Sequence, residues 1–477
     1  MGDVNSSREL LRNVVASIFI VAVTLAATWT AISFGKLALF GVVAGVALIV
    51  AAYIGVRHPV WFFYALAAVM AGLQFGRIPG INLPIYLPLA FGAVVASFLH
   101  PRLARSMHPL EFAWIALIIT SGFTMALNAK GFIDYSLYIR WLIPSLLLLA
   151  LVQLPRENLK RFGQIFAVVA ALNGVFGMYM VAFDQNQTAL NFLKPLGYLP
   201  QYTVARYAYG AAGGTGSIRL GGTWVEPNGA GLNLVVALAL SILLFTAWRR
   251  TVLVLVIATA LLLTLSRGSI FSVVVGVALV LIFHSMRTRD RAATISVIAV
   301  VSVGALLIDA VRERLFTAFE GDDVGTAARA DALRVFPGQM SGHWGSGWGW
   351  GRPEFIDPQY SYVFNLPSNA PLITLYRGGI LPFLAFMAVV VISIVLSYRA
   401  MRSDSLPLAM YGGLFFGINV VQFNLDHNVA DLPQSVVLWS MFPAFLLYVD
   451  DVRKERTLER ASDIESPPKF EVLTRPR

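Results

Sequence analysis

The stretch Leu234-Val-Val-Ala-Leu-Ala-Leu-Ser-Ile-Leu-Leu-Phe-Thr-Ala247 decides the class of fold. It holds no charged residue, and its apolar side chains follow one another without alternation. A strand of a transmembrane β-barrel would alternate apolar and polar residues, so the stretch is typical of a helix inside a lipid bilayer. The bilayer core offers no water to the backbone, and a helix satisfies its own N–H and C=O groups.

Comparable stretches recur along the chain, which is 57% hydrophobic and only 13% charged. Soluble domains carry about 25% charged residues, so this chain has too few to cover a water-facing surface. Because about 20 apolar residues cross a bilayer as a helix, the pattern predicts an all-α integral membrane protein with about fourteen transmembrane helices. The predicted spans are residues 14–34, 36–56, 59–76, 84–99, 110–127, 136–153, 162–183, 228–247, 251–265, 269–284, 292–310, 371–396, 405–423 and 433–449.

The distribution of positive charge predicts the orientation. The short connections on one side are rich in arginine, whereas those on the other side hold only Lys36, Arg77 and Lys130. The positive-inside rule makes the arginine-rich side cytoplasmic, together with both chain ends. The net charge of +10 is therefore interpreted as a topology signal and an attraction to anionic lipid, with no nucleic acid as partner.

The predicted organisation has three parts: a cytoplasmic N-terminus (1–13), a polytopic membrane domain (14–449) and a disordered cytoplasmic tail (450–477). Two long segments face the outer side, at about 184–227 and about 311–370, and the second lies between spans 11 and 12. Both contain aromatic residues that disordered segments lack. We therefore expect these outer segments to carry the function.

Arg267 lies between two apolar stretches, residues 251–265 and 269–283, that together are too long for one span. Each stretch of about 15 residues covers only about 22 Å of a hydrocarbon core of about 30 Å. The sequence therefore predicts a hairpin of two short helices that holds Arg267 below the outer surface. An arginine at such a depth faces a cavity and indicates a functional site. The alternative is that its long side chain reaches the lipid headgroups.

Other arginines also fall on the outer side, among them Arg219, Arg377 and Arg140. Guanidinium groups bind phosphate oxygens in a bidentate manner without a metal ion. Six scattered histidines and the absence of Asp-x-Asp from the sequence predict no metal site, and no cofactor is expected. The charge pattern fits a phosphorylated lipid in the outer leaflet, and it fits the transport of an anion equally well.

Three stretches occur in an order that is known from one family. The first is Arg219-Leu-Gly-Gly-Thr-Trp-Val-Glu-Pro-Asn228, and the second is Leu263-Thr-Leu-Ser-Arg-Gly-Ser269. The third is the large outer loop ending in Gly347-Trp-Gly-Trp-Gly351, followed by Leu366-Pro-Ser-Asn-Ala-Pro-Leu372 and Tyr376-Arg-Gly-Gly-Ile380. Together they resemble the bacterial O-antigen polymerase and ligase superfamily over about residues 215–449. Residues 1–200 match only as generic spans.

The resemblance implies a GT-C-like glycosyltransferase of the bacterial inner membrane, acting at the periplasmic face on an undecaprenyl-diphosphate-linked glycan. A polymerase moves the growing chain onto the next lipid-linked repeat unit, and a ligase moves it onto lipid A core. The transfer would be metal-independent and inverting, with the diphosphate bound by Arg219, Arg267 and Arg377. The implied partners are the lipid-linked donor and acceptor, membrane lipid, a chain-length regulator and a flippase.

The chain departs from the ligase pattern in two places. Ser368-Asn369 stands where ligases have His-Asn, and Glu226 stands where the family often has Asn. These departures favour a polymerase with Glu226 as the base that accepts the hydroxyl proton. Alternatively His343 or His427 acts as the base. Each also has a structural interpretation: Glu226 as a helix-start carboxylate, His427 as a local cap and His343 as a solvent-exposed loop residue.

The remaining candidates also have two interpretations. Trp348 and Trp350 either stack on sugar rings or anchor the loop in the membrane interface. Arg140 either contacts substrate or pairs with Asp134. The further candidate ligands of the glycan or the diphosphate are Asn228 and Asn369. A flippase for the same lipid-linked glycans is the rival from another functional class, and the lack of an internal repeat argues against it.

Overall fold

A computed structural model describes residues 49–80, 83–99, 106–184, 187–198, 218–289, 324–351, 369–425 and 433–465. It also describes the short pieces 29, 45–46, 291–292, 295–296, 299, 303–304, 307, 312, 355–356 and 363–364. The chain divides into two compact units, Met1–Phe62 and Phe63–Arg477. Everything described below belongs to the second unit, apart from helix α1 and the start of helix α2.

The described elements are almost all helices. They are α1 (Ile49–Arg57), α2 (Val60–Gly72), α3 (Tyr86–Leu99), α4 (Pro109–Asn128), α5 (Phe132–Leu151), α6 (Arg156–Phe183), α7 (Pro227–Leu244), α8 (Ala247–Leu263), α9 (Arg267–Phe283), α10 (Val324–Gln339), α11 (Ala370–Gly378), α12 (Ile380–Met401), α13 (Leu406–Gly417) and α14 (Pro433–Glu465). Two 3₁₀ segments cover Thr188–Leu196 and Gly222–Trp224. Two small antiparallel hairpins pair Arg77–Ile78 with Leu83–Pro84, and Phe355–Ile356 with Val363–Phe364.

Among the described residues, seven helices are long and apolar enough to cross a membrane. They are α4, α5, α6, α7, α12, α14 and the α13 region Leu406–Leu425. The prediction of an all-α membrane protein is therefore confirmed. Almost all of the first predicted span (residues 14–34) and most of span 11 (residues 292–310) lie outside the described residues, so the count of about fourteen stays a prediction.

The core of the second unit joins helices that are far apart in sequence. The ring of Trp439 on α14 packs against Trp114 of α4 at 4.3 Å and against Phe386 of α12 at 5.1 Å between centroids. The indole of Trp114 also donates to the carbonyl oxygen of Ser145 on α5 at 2.7 Å. A buried indole N–H needs such a partner, so these contacts fix α4, α5, α12 and α14 together.

The predicted pair of short helices around Arg267 is present as α8 and α9, with 17 residues each. They are joined by a tight turn in which Leu265 has a φ of +51°. The two helices then pack on different neighbours: α8 on α6 and α7, and α9 on α13.

Small residues allow α9 and α13 to approach closely. Gly413 and Gly417 of α13 form a GxxxG pair against Ser272 and Gly276 of α9. A Cβ atom added to Gly276 would lie 2.6 Å from the carbonyl oxygen of Gly413, and one added to Gly417 would collide with the carbonyl of Ser272. This contact fixes α9, and therefore the position of Arg267 at its first residue.

The structure corrects two sequence predictions near the C-terminus. The predicted span 371–396 is broken into α11 and α12, because Gly379 between them has a φ of +73°. The last helix continues to Glu465, so the prediction that the chain is disordered from residue 450 is wrong as far as residue 465. The helix extends because salt bridges from Asp450 to Arg453 and Lys454 support its polar continuation.

Candidate functional site

The side chain of Arg219 joins the first and second sequence motifs. It is buried, with 5% of its surface exposed. Its Nε donates to the carbonyl oxygen of Thr264 at 2.9 Å, and its Nη2 donates to Asn228 Oδ1 at 2.9 Å and to the Leu265 carbonyl at 3.4 Å. The planar guanidinium thus holds the turn before α9 against the first turn of α7. We call these four residues the Arg219 clasp.

The first turns of α7 and α9 are in direct contact. A Cβ atom added to Gly231 of α7 would collide with Ser269 of α9 and would lie 3.0 Å from the Cβ of Ser266. The Ser266 hydroxyl donates to Ser269 Oγ at 3.1 Å in the same place. Asn228 and Arg267 therefore lie at two adjoining helix N-termini, which carry partial positive charge and favour anions.

Glu226 occupies the N-cap position of α7. Its backbone is extended, with φ −99° and ψ 124°, and its carbonyl accepts from Ala230 N at 2.8 Å. The carboxylate makes no side-chain capping bond to the helix, which argues against a simple capping role. Val225 before it has a φ of +62°, a strained conformation for a β-branched residue. Such strain is frequent at functional sites.

Asn173 of α6 is a site residue that sequence reasoning missed. Its Nδ2 donates to the carbonyl of Ala71 at 3.0 Å, and its Oδ1 accepts from Thr223 N at 3.1 Å. The Thr223 hydroxyl donates to the carbonyl of Gly72 at 2.6 Å. The first motif is thereby attached to the end of α2. The signal was a buried polar residue in an otherwise apolar span.

Polar residues after α13 lie close to the start of α9 and to the start of α11. Gly268 lies against the carboxamide of Gln422, whose oxygen is 2.8 Å from the place of a Cβ atom. Gln422 belongs to a π-helical turn, Ile418–Gln422, that follows α13. Two residues later, Asn424 Oδ1 accepts from Asn369 Nδ2 at 3.1 Å, while Asn369 caps α11 by accepting from Leu372 N at 3.0 Å. Asn369 is therefore a helix cap in this structure.

Backbone hydrogen bonds connect the Gly-Trp-Gly-Trp-Gly motif to the end of α11. Trp348 N donates to the carbonyl of Tyr376 at 2.7 Å, and Gly349 N donates to the carbonyl of Arg377 at 3.0 Å. Gly347 has a φ of +72°, and a Cβ atom there would lie 2.6 Å from the Arg377 carbonyl. Only glycine permits this approach, which explains the repeated glycines of the motif.

Arg377 and Trp350 are buried against each other. The guanidinium carbon of Arg377 lies 4.8 Å from the ring centroid of Trp350, and the two residues are only 7% and 4% exposed. The Trp350 ring also packs on Trp141 at 5.1 Å and on Tyr138 at 5.6 Å between centroids. This burial favours a structural role for Trp350 over stacking on a sugar.

The carboxylate of Asp134 binds the backbone at the end of the Gly-Trp-Gly-Trp-Gly motif. Its Oδ1 accepts from Gly351 N at 2.6 Å, while its Oδ2 accepts from Lys130 N at 3.0 Å and from Gly131 N at 3.1 Å. The carboxylate is thus used by three backbone donors. Of the two alternatives for Arg140, the pairing with Asp134 is not found among the described residues, where the carboxylate accepts from these backbone donors instead.

The other predicted residues do not join this arrangement. Arg140 is exposed in α5. His343 stacks on Trp348 at 3.5 Å between ring centroids, and its Nδ1 lies 3.1 Å from the carbonyl of Ser341, so it supports the loop. His427 lies outside the described residues.

These helices, with their buried arginines and close glycine contacts, define a multi-pass α-helical membrane protein. Residues 252–374 match the family described as O-antigen ligase. The resemblance to the O-antigen polymerase and ligase superfamily is therefore confirmed. The matched range contains the second motif and the large loop. The first motif ends at Asn228, before the start of the matched range, and Arg219 joins it to the second motif. No curated protein matches the chain.

Proposed function

We propose that the protein is a glycosyltransferase that polymerises undecaprenyl-diphosphate-linked repeat units at the periplasmic face. The observation that carries the proposal is the contact between the starts of α7 and α9, made by the Arg219 clasp and by Gly231 against Ser269. It brings Glu226, Asn228 and Arg267 to one end of the helix bundle. The family match supplies the class of reaction.

The role of each residue in the proposed reaction follows from where charge develops on the donor and the acceptor. The acceptor hydroxyl attacks the anomeric carbon of the donor, the bond from that carbon to the diphosphate oxygen breaks, and undecaprenyl diphosphate leaves with the electron pair. Arg267 and the N-terminus of α9 stabilise the negative charge that grows on this leaving group. Glu226 accepts the proton of the hydroxyl. Attack from the side opposite to the diphosphate inverts the anomeric configuration.

Arg219 has a different role from that of Arg267. Three of its hydrogen bonds already go to protein oxygens, so Arg219 positions the turn that carries Arg267. Arg267 is half-buried at the first position of α9. It is therefore the residue that we assign to the diphosphate.

A ligase remains the second candidate within the same family, because the matched family is described as O-antigen ligase. Ser368 replaces the ligase histidine, which favours the polymerase. The two enzymes differ in the product: a polymerase lengthens the glycan on its carrier lipid, and a ligase removes it from that lipid.

The test is the length distribution of lipid-linked and surface glycan in a deletion strain that expresses each variant. Arg267→Ala should leave single repeat units at normal protein level, with the transfer rate lowered about 10²–10³-fold, as for the loss of one donor to a developing charge. Arg249→Ala is the matched control, since Arg249 is exposed at the opposite end of the α8–α9 pair. Full-length chains that accumulate on the carrier lipid would make the protein a ligase. Unchanged glycan in Arg267→Ala would overturn both candidates.

A further inference from the structure

A cavity of about 300 Å³ opens at the end of α12 that is remote from Arg377. Its lining contains four arginines and one acidic residue, Asp404. The arginines are Arg399 and Arg402 from the last turn and cap of α12, and Arg453 and Arg456 from α14. Since α12 has 22 residues and rises 1.5 Å per residue, this cavity lies about 33 Å from the proposed catalytic end. It is therefore a separate site.

The geometry of the cavity suits an anion. Arg453 is held in the wall by its salt bridge to the buried carboxylate of Asp450 at 2.8 Å. Arg402 is oriented by the Tyr398 hydroxyl, which accepts from its Nη1 at 3.3 Å. Ser405, the N-cap residue of α13, also lines the cavity, so the positive end of that helix points towards the same space. Oriented guanidinium groups beside a helix N-terminus favour a phosphate group.

The surroundings of the cavity point to a lipid as the source of the phosphate. The exposed residues Leu384, Val391, Val395 and Tyr398 follow one another along α12. At 100° per residue they lie within about 60° of one another and form a single apolar face that ends at the cavity. A phospholipid could therefore lie along this face with its acyl chains while its headgroup enters among the arginines. A free phosphate ion has no acyl chain that would contact the apolar face.

We propose that this cavity binds the headgroup of an anionic phospholipid, as a site distinct from that for the lipid-linked glycan. Phosphatidylglycerol and cardiolipin have the required chemistry: a phosphate without a compensating ammonium group, on two or more acyl chains. The charge balance of the lining discriminates against zwitterionic phosphatidylcholine, whose quaternary ammonium would meet the arginines.

The experiment uses the full-length protein purified in a neutral detergent and depleted of lipid. Short-chain phosphatidylglycerol, short-chain phosphatidylcholine and inorganic phosphate are added separately, and bound lipid is counted by native mass spectrometry. We expect saturable binding of phosphatidylglycerol, much weaker binding of phosphatidylcholine, and no displacement by millimolar phosphate. In Arg402→Gln/Arg456→Gln the affinity should fall about twenty-five-fold, since each basic residue near an anionic lipid contributes about fivefold.

Arg161→Gln/Arg249→Gln is the matched control. It removes the same charge from exposed residues at the same end of the helices, outside the cavity. The control should bind like the wild-type protein. An equal loss in both double variants would overturn the proposal, because it would show diffuse attraction instead of a site. Displacement by millimolar phosphate would overturn the lipid as ligand, and equal binding of phosphatidylcholine would overturn the role of charge.

Discussion

Arg219 donates to Asn228 Oδ1 at 2.9 Å, so the first residue of the first motif is bonded to its last. The same guanidinium binds the Thr264 carbonyl, 45 residues further along the chain. Arg219 therefore closes the ten-residue first motif into a loop and also binds this loop to the second motif. Arg219, which the resemblance would assign to the diphosphate, donates three hydrogen bonds to oxygen atoms of the protein in this structure.

The first prediction concerns this clasp. Arg219→Lys keeps the charge but loses the planar fork, so it leaves buried carbonyl groups without a donor, at a cost of about 1–3 kcal/mol in the free energy of unfolding. We expect a lower melting temperature together with a lower kcat, and an unchanged KM for the lipid-linked donor. The measurements are thermal unfolding in detergent and steady-state transfer assays.

Asn228→Asp is the control for the clasp. A carboxylate can accept the same hydrogen bond from Arg219 Nη2, so stability should stay near that of the wild type. A rise in the donor KM in Arg219→Lys, without loss of stability, would contradict the positioning role and favour direct binding of the diphosphate.

The second prediction concerns Asp134 and the loop that ends at Gly351. Asp134→Ala removes the acceptor for three backbone N–H groups, so the loop should open more often. We expect hydrogen exchange of residues 343–351 to accelerate at least about tenfold, which corresponds to about 1.4 kcal/mol. Asp134→Asn keeps one acceptor oxygen and should lie between the wild type and Asp134→Ala. Equal exchange in all three proteins would show that the loop is held by other contacts.

The third prediction concerns the glycine contact between α9 and α13. Gly417→Ala places a methyl group against the carbonyl of Ser272, so the two helices must separate. Overpacking of this kind costs about 1–3 kcal/mol, and Arg267 should be displaced with α9. We therefore expect a lower melting temperature and shorter glycan chains. Gly131→Ala is the control, because nothing lies within 4 Å of a Cβ there and its φ of −171° is open to any residue.

Sequence reasoning located the helices well where an apolar run was bounded by charge or by a turn. The run 251–265 became α8 and the run 269–284 became α9, each within a few residues. The prediction of helix boundaries failed where an apolar run continues through a break in the helix. Gly379 interrupts the run 371–396 with a positive φ, which hydropathy alone does not register.

For the candidate site, too, some features were predictable from the sequence and others were not. Arg267 was a candidate because an arginine at membrane depth is costly, whereas Arg219 and Glu226 were candidates because of the resemblance to the O-antigen polymerase and ligase superfamily. Their arrangement was not predictable, since the bond from Asp134 to Gly351 joins residues 217 positions apart. Such contacts depend on how the helices pack, and hydropathy contains no information about that packing.

The fourth prediction concerns pH and the start of α4. His108 is the N-cap of this helix, and its Nδ1 accepts from Leu110 N at 3.1 Å, while Glu111 completes the capping box by accepting from His108 N at 2.9 Å. An Nδ1 that accepts a hydrogen bond carries no proton, so the cap requires the neutral imidazole. Burial lowers the pKa of His108, and nearby Asp450 only partly opposes this.

The folded protein therefore takes up this proton at a lower pH than the unfolded chain does. The stabilisation is fully present above about 6.5, the ordinary pKa of histidine, and is lost as the pH falls from there towards the folded pKa. We expect the melting temperature of the wild type to fall between about pH 7.5 and pH 5.5. His108→Asn keeps a side-chain oxygen that caps the helix and does not titrate, so its melting temperature should fall less over the same range. Parallel curves for the two proteins would show that the pH dependence arises from another group.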